Sequence, residues 1–417
     1  MLDPIIYAVP VFLAMMAAEY AVERRRGEPV YRAADTISSL SLGILSQLVA
    51  AFSKLAALGI YTLVWQHAAI WPLPADSAWV WVGALLAYDF CYYWLHRMGH
   101  EVNILWAAHV VHHSSEEYNL STALRQTATG HLFGWLFYLP LALAGVPPLV
   151  FVVVGLIDLL YQFWVHTRQV GKLGWFDRVF CSPSNHRVHH GQNDWCLDRN
   201  YGGILILWDR LFGTFTEERD GEAIVYGIRG QLGSFDPLRA NLHVYADLWR
   251  DIRLTRRGSD KLRVLFAHPG WRPADAAAAA PKPAWDLSRF ERYAPPLPAA
   301  WGLHALLQLA VLIAFSLHFL AVVPSLGLGA GLAYAGLIGA QLVALSRLTE
   351  WRPAALRIEA ARWAAGVLAV ALSPLHGWPW LVLALASGSS AVWAVWALRA
   401  MQRGAALPVR RSAPPAA

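Results

Sequence analysis

The sequence predicts an all-α fold: a polytopic membrane helical bundle that carries a histidine-rich helical cap on its cytosolic side. Three observations predict it. The 417 residues are 57% hydrophobic and only 15% charged, with 21 tryptophans and a mean hydropathy of +0.37, far from the composition of a soluble domain. Apolar runs approaching the roughly 20 residues needed to cross a bilayer recur along the chain. Lys and Arg gather at alternate ends of those runs, as they do in cytoplasmic loops. The net charge of +6 therefore reads as membrane orientation, and without a basic recognition helix no nucleic-acid partner is expected.

The first run, about 4–20, ends in Glu23-Arg24-Arg25-Arg26 without a small-residue cleavage site, so it is read as a retained anchor whose end lies inside. A second run at about 38–64 leads to a loop, 65–76, that holds no Lys or Arg and is placed outside; a third at about 78–95 returns at His96-Arg97. Lys54 interrupts the second run, which implies a bend, an interfacial stretch or a buried partner for the amine. A hairpin at about 132–145 and 147–165, turned at Val146-Pro147-Pro148, comes back at His166-Thr167-Arg168. Four more runs follow at about 299–323, 326–346, 356–372 and 377–399. Their inside ends hold Arg347, Arg352, Arg357 and Arg362, then Arg399, Arg403, Arg410 and Arg411, while the loops at 323–326 and 373–376 hold none.

The domain plan follows from these runs. N-terminal transmembrane helices fill 1–95; a histidine-bearing catalytic region fills 96–230 and includes the transmembrane hairpin 132–165; a cytosolic segment and Ala/Pro-rich linker fills 231–298. C-terminal transmembrane helices occupy 299–400, and a disordered tail occupies 401–417. Cys91, Cys181 and Cys196 have neither zinc nor disulfide spacing and fit a reducing compartment. The expectation is an integral, multi-pass membrane protein with its active site facing the cytosol.

The chemistry lies in four histidine groups. His96 and His100 are four apart at the end of a helix, on one face. His109, His112 and His113 form an H-x-x-H-H triplet, His186, His189 and His190 repeat it, and His166 closes the hairpin. Nine imidazoles on one side of a membrane suit two ions better than one, because neighbours such as His112 and His113 are about 100° apart on a helix and can lean toward different ions. Imidazole suits iron, zinc, copper and nickel. The lack of clustered cysteine argues against a finger-type zinc, and the lack of Glu-x-x-His argues against a carboxylate-rich di-iron bundle. An all-nitrogen di-iron centre leads, with zinc as the alternative.

Blander readings stand beside this one. A lone i, i+4 histidine pair is more often an exposed helix face than a ligand set, whereas nine clustered rings would accumulate large burial costs without a shared ligand. His67, His243, His304, His318 and His376 have no spaced partner; His131 is close enough in sequence to support the site from behind. His268-Pro269-Gly270-Trp271 has the outline of a haem loop but lacks its second glycine, and no haem is expected. Asp89 and Asp158, seven and eight residues before His96 and His166, need a partner such as a ligand imidazole or Lys54, or else ordinary helix pairing. Tyr92, Tyr93, Trp94, Trp106 and Trp164 read either as a lipid entrance or as an interfacial aromatic belt. A membrane metal-binding or transport protein is the reading from another class, but it calls for ligands along the middle of several helices, and here they gather at helix ends.

The stretches HRMGHE, WAAHVVHHSSEEYNLSTALRQ, SPSNHRVHHGQN and DRNYGGILILWDRLFGTF resemble the histidine boxes of the fatty acid hydroxylase/sterol desaturase superfamily. Within it they look most like the branch that cleaves ether lipids. The resemblance covers about 78–230 closely and extends more loosely toward 275. It implies a membrane-bound non-haem di-iron monooxygenase, with two Fe ions on His96, His100, His109, His112, His113, His166, His186, His189 and His190. It matches Glu101 to an acidic position after the first box, and Asn193, Asn200 and Asp209 to positions that orient ligands; Glu101, Asp89 and Asn193 are the candidate catalytic residues. The implied partners are a lipid substrate from the bilayer, O2 and an electron donor, with tetrahydrobiopterin or another reductant as cofactor. The reaction implied is hydroxylation of the alkyl carbon beside an ether oxygen, with release of an aldehyde; a sterol, carotenoid or fatty acyl substrate is the alternative.

Overall fold

The computed structural model describes residues 4–350, together with Ala361 and Ala364. Among them the fold is all-helical, with two isolated β-bridges, Phe180 to Leu205 and Gly191 to Tyr226, and no strand. Two compact units divide the chain: one holds Tyr7–Leu232 and Leu238–Glu291, and the other takes the described parts of Met1–Ile6, Gly233–Pro237 and Arg292–Ala417.

Two apolar helices long enough to cross a bilayer come first, α1 (Pro4–Arg26), which belongs to the first unit from Tyr7 on, and α2 (Ala33–Ala68). Both outrun their apolar cores, because helix propensity carries them through Glu23–Arg26 at one end and Ala33–Ile37 at the other. Lys54 stays within α2, where its amine donates to Gln47 Oε1 at 3.2 Å. Then α3 (Ala78–Glu101) runs through the third predicted span and on into the first histidine box. The short helices α4 (Asn103–Ala107), α5 (Val110–His113) and α6 (Leu120–Ala123) carry the second box.

The predicted hairpin forms as α7 (Trp135–Ala144) and α8 (Pro148–Trp164), 10 and 17 residues long and each short of a full crossing. Gly145, at φ +94°, caps α7, and Pro148 begins α8 with φ already fixed for a helix. A core of Tyr61, Ala84, Cys91, Tyr138, Leu141, Ala142, Val146, Val150 and Val154 locks the hairpin against α2 and α3. Polar caps finish the joint: Tyr61 donates to the Val146 carbonyl at 2.9 Å and Trp65 to that of Gly145 at 3.1 Å.

Beyond the hairpin, α9 (Phe176–Val179), α10 (Pro183–His189) and α11 (Leu207–Phe212) complete the histidine region. The helices α12 (Pro237–Leu254), α13 (Gly258–Phe266) and α14 (Ala274–Ala279) follow. In the other unit, α15 (Ala299–Val322) and α16 (Leu328–Thr349) pack together, and both are long and apolar enough to span a membrane. Arg347 at the end of α16 pairs with Asp236 at 2.7 Å, and Glu350 accepts from Ser234 Oγ and the Phe235 N–H. The runs predicted at 356–372 and 377–399 and the tail 401–417 lie outside the described residues.

Candidate metal centre

Helical spacing sorts the nine imidazoles into two groups. His96, His100, His109, His113 and His189 each bring one ring nitrogen to within 4.8 Å of the others; His112, His166, His186 and His190 do the same in a second group. Each H-x-x-H-H triplet is split between them. The i and i+4 members, His109 with His113 and His186 with His190, share a face and join one group each, while His112 and His189 turn to the opposite group. The groups adjoin, with the rings of His113 and His190 stacked at 4.4 Å.

Local sequence fixes the third box tightly. Ser182 caps α10 and exchanges hydrogen bonds with Asn185, Oγ accepting from its N–H at 3.3 Å and Asn185 Oδ1 accepting from the Ser182 N–H at 3.2 Å, while Pro183 takes the first helical position. Arg187 points away from its histidine neighbours. It makes a bidentate pair with Glu218 at 2.7 and 2.6 Å and donates to the carbonyls of Thr167 and Val170.

Ring orientation is set from outside each group. Nδ1 of His96 lies 2.8 Å from the Tyr201 carbonyl, Nδ1 of His112 3.0 Å from that of Arg125, Nδ1 of His166 2.8 Å from that of Gln162, and Nδ1 of His189 2.9 Å from that of Arg199. A carbonyl only accepts, so the proton is on Nδ1 and each Nε2 keeps its lone pair. Two of those lone pairs, on His112 and His166, face each other at 3.2 Å, and His186 Nε2 lies 3.0 Å from the second. In the other group Nε2 of His96, His100 and His189 is buried without a hydrogen-bond partner. Lone pairs held this way repel unless a cation lies among them. Two nitrogens each about 2.1 Å from one ion are about 3.0–3.4 Å apart, which is the spacing seen.

Burial also keeps the rings neutral. It pushes His96 down to about 3 and His112 down to about 4, and it lowers His100, His109, His113, His166, His186, His189 and His190 in the same direction. Neutral imidazoles are the form that ligates a metal. By protonation, orientation and spacing, the nine donors fit a pair of transition-metal ions.

Two buried polar frames hold this arrangement. Asp209 accepts from the N–H groups of Tyr201 and Gly202 at 2.8 and 2.7 Å and from Thr214 Oγ1 at 2.6 Å, which fixes the carbonyl that orients His96. The Arg125 guanidinium, 1% exposed, donates to the Val111 carbonyl, Ser114, Ser38 and Ser39, and pairs with Asp35 at 4.0 Å. It ties α2 to the second box, and its own carbonyl orients His112.

The other predicted residues lie around the imidazoles. Asp89 accepts from the N–H groups of Ile204 and Leu205 at 2.7 and 3.1 Å and from the Trp208 indole at 2.8 Å, and its carboxyl also meets that of Asp158. Asp158 accepts from Gln162 Nε2 at 2.6 Å, and Gln162 supplies the carbonyl that holds His166. Glu101 pairs with Arg97 at 2.9 Å. Asn193 donates to the Ala223 carbonyl and accepts from the Val225 N–H, stitching two loops together. Asn200, at φ +57°, bonds Asn185 and Thr216. Of the five aromatic residues, Tyr92 lies 5.2 Å from the His96 ring and Trp106 lies 5.2 Å from that of His100. Tyr93 bonds Thr214, Trp94 packs on Phe212, and Trp164 on Phe176. Away from the site, His318 bonds Tyr334, His243 bonds its own helix, and His268 pairs with Asp198.

Sequence reasoning missed the carbonyls of Tyr201, Arg125, Gln162 and Arg199. No side-chain signal could have shown them, since every residue offers the same carbonyl. Arg125 did carry a signal, because Asp35, Ser38, Ser39 and Ser41 interrupt an apolar run and a buried cation would explain them.

A fatty acid hydroxylase family model matches residues 81–214, a stretch that contains all nine of the clustered histidines. The alkylglycerol monooxygenase of Homo sapiens is 44% identical over 267 residues, 64% of this chain and 59% of that protein, so the match spans less than two thirds of the human relative. The alkylglycerol monooxygenase of Xenopus tropicalis is 37% identical over 357 residues, 85% of this chain and 79% of its own. This chain belongs to the alkylglycerol monooxygenase branch of the fatty acid hydroxylase family. An ornithine lipid hydroxylase of Rhizobium tropici is a more distant relative of this fatty acid hydroxylase-family chain, 27% identical over 233 residues. No solved structure matches it.

Proposed function

We propose that this protein is a membrane-bound di-iron monooxygenase that hydroxylates the alkyl carbon beside the ether oxygen of an alkylglycerol lipid. The hydroxylated carbon is a hemiacetal, which collapses to an aldehyde and a glycerol derivative. The observation that carries the reading is the pair of facing lone pairs on His112 and His166, 3.2 Å apart and both fixed by carbonyl acceptors, which calls for a shared cation. The membership of the chain in the alkylglycerol monooxygenase branch supports the substrate.

In this reading one iron is held by His96, His100, His109, His113 and His189, and the other by His112, His166, His186 and His190. When bound, the irons supply O2 activation and insertion of one oxygen atom into a C–H bond. The chain supplies the rest. Tyr201, Arg125, Gln162 and Arg199 hold four rings at fixed angles through Nδ1, and Asp209 holds the Tyr201 carbonyl in turn. Burial of eight of the nine histidines excludes water from the reacting carbon. Tyr92 and Trp106 line the approach of an alkyl chain. Asp89 acts by fixing the 204–208 loop, Glu101 by fixing Arg97, and Asn193 by fixing the 223–225 loop; all three are positioning residues. The region over 96–230 is the catalytic one and faces the cytosol, where tetrahydrobiopterin or another reductant provides electrons.

Similarity to the ornithine lipid hydroxylase favours, as a second reading, the same chemistry on another lipid chain. One experiment separates the outcomes. Protein purified without added metal is analysed for metal and by Mössbauer spectroscopy, then given O2, reductant and either an alkylglycerol or an ornithine lipid. Two coupled irons per chain and O2-dependent aldehyde from the ether lipid are expected. Iron with a hydroxylated product from the other lipid alone would move the assignment to the second reading, and a chain that purifies with zinc or without paired iron would overturn both.

A further inference from the structure

The helices α12 and α13 join the histidine region by one face only. Ala107 of α4, Leu248 of α12 and Val264 of α13 form a small buried core, and Asn103 donates to the Val264 carbonyl at 2.9 Å. That contact falls between the first and second histidine boxes. The opposite faces are apolar as well. Leu242, Ala246, Trp249 and Arg253 recur at i, i+4, i+7 and i+11 along one exposed stripe of α12. Leu242 is 52% exposed and Trp249 62%, while on α13 Leu262 is 65% and Phe266 64% exposed. Arginines flank this surface: Arg250, Arg253, Arg256, Arg257 and Arg263 are all exposed. Over 237–266 there are seven basic residues against three acidic ones, and of the three Asp251 is taken up by Arg272 and Asp247 by Arg250 and Lys282.

An aqueous surface has no use for a large exposed indole, a Phe and two Leu in such an array, and a purely ionic partner has no use for them either. Apolar side chains at the centre with arginines around them match an anionic bilayer surface, whose acyl boundary takes the first and whose headgroups take the second. We propose that α12 and α13 lie in the interface of an anionic membrane leaflet and draw the histidine region onto the lipid surface. Because both helices are keyed to α4 through Asn103, Ala107 and Val264, their depth in the leaflet sets how close the two boxes come to a lipid chain leaving it. This deepens the lipid-hydroxylase reading by naming the surface that gathers the substrate.

The test uses the full chain in nanodiscs and does not depend on bound metal or turnover. Cys91, Cys181 and Cys196 are all buried, so a Trp249→Cys variant labels at the new position, and Leu242→Cys provides a second label should the first fail to fold. An environment-sensitive fluorophore there is exposed to nitroxide-bearing lipids and, separately, to aqueous iodide. In discs of phosphatidylcholine with phosphatidylglycerol, quenching by the nitroxide lipid is expected to exceed that by iodide several-fold. Adding Arg253→Glu, Arg256→Glu and Arg257→Glu is expected to reverse that preference. A label that iodide reaches equally in anionic, neutral and charge-reversed cases would overturn the proposal. So would one shielded from both quenchers in a concentration-dependent way, which would assign the face to a second copy of the chain. Aldehyde formation, measured in the same discs, reports separately on the lipid-hydroxylase reading.

Discussion

At the scale of single residues, the histidine groups depend on side chains that belong to neither group. Arg125 is the clearest case, since it is buried, bonded to three serines and to the Val111 carbonyl, and paired with Asp35. Arg125→Met would leave Asp35 with the Ser115 hydroxyl at 2.7 Å but without its buried cation, and is expected to cost about 3 kcal/mol, read as a lower thermal midpoint in detergent. Adding Asp35→Asn removes the stranded charge, so the double variant is expected to lose less than the two single variants together. Simple additivity between them would mean that the pair is not coupled. Asp209 offers a more local test, because its carboxylate accepts three hydrogen bonds, two of them from the N–H groups beside the carbonyl that orients His96. Asp209→Asn turns an amide N–H₂ toward one of those donors. A loss of about 1–3 kcal/mol is expected, together with a lower metal content that falls first on the five-histidine group.

At the scale of elements, what could be read from the sequence was what side chains determine. The two H-x-x-H-H triplets marked six of the candidate ligands and showed that neighbours such as His112 and His113, about 100° apart on a helix, can lean apart; that His112 and His189 are the members that cross to the other group is set by the tertiary packing. The Val146-Pro147-Pro148 turn was equally plain, since two successive prolines withhold the N–H groups a continuing helix needs and Pro148 suits the first turn of α8. Helix ends were less legible: α2 is longer than its apolar run because residues such as Ala33, Ala34 and Ala68 extend a helix without adding a hydrophobic signal. The chains of carbonyls behind the imidazoles were not legible at all. The need for glycine at the hairpin turn is testable. At Gly145, φ is +94° and an added Cβ would lie 1.7 Å from the Trp71 carbonyl oxygen, whereas at Gly213, φ +73°, it would meet nothing within 4 Å. Gly213→Ala is therefore expected to cost only the left-handed strain, about 1–2 kcal/mol. Gly145→Ala must also displace backbone, and it is expected to give little or no folded protein in a detergent-solubilisation assay; comparable yields from the two variants would contradict the packing described for the turn.

At the scale of the whole molecule, the nine candidate ligands come from chain segments far apart: α3, α5, the end of α8, and α10. All belong to the unit of Tyr7–Leu232 and Leu238–Glu291. Ions on such ligands act as cross-links, and each contributes stability by mass action, about 2.7 kcal/mol when free metal is a hundred times its dissociation constant. Without them the facing lone pairs on His112, His166 and His186 repel. Removal of metal should thus loosen one unit and leave the other alone. The second unit is fastened by its own contacts, Arg347 with Asp236 and Glu350 with Ser234 and Phe235, none of which involves an imidazole. Hydrogen exchange read by mass spectrometry before and after chelation distinguishes the cases. Peptides covering 94–125 and 160–200 are expected to exchange faster after chelation, and those covering 300–349 to keep their rate. Equal acceleration throughout would mean that chelation unfolds the chain as a whole, and no acceleration at the histidine peptides would mean that the nine rings hold their places without an ion, which would overturn the metal reading of the His112 and His166 geometry.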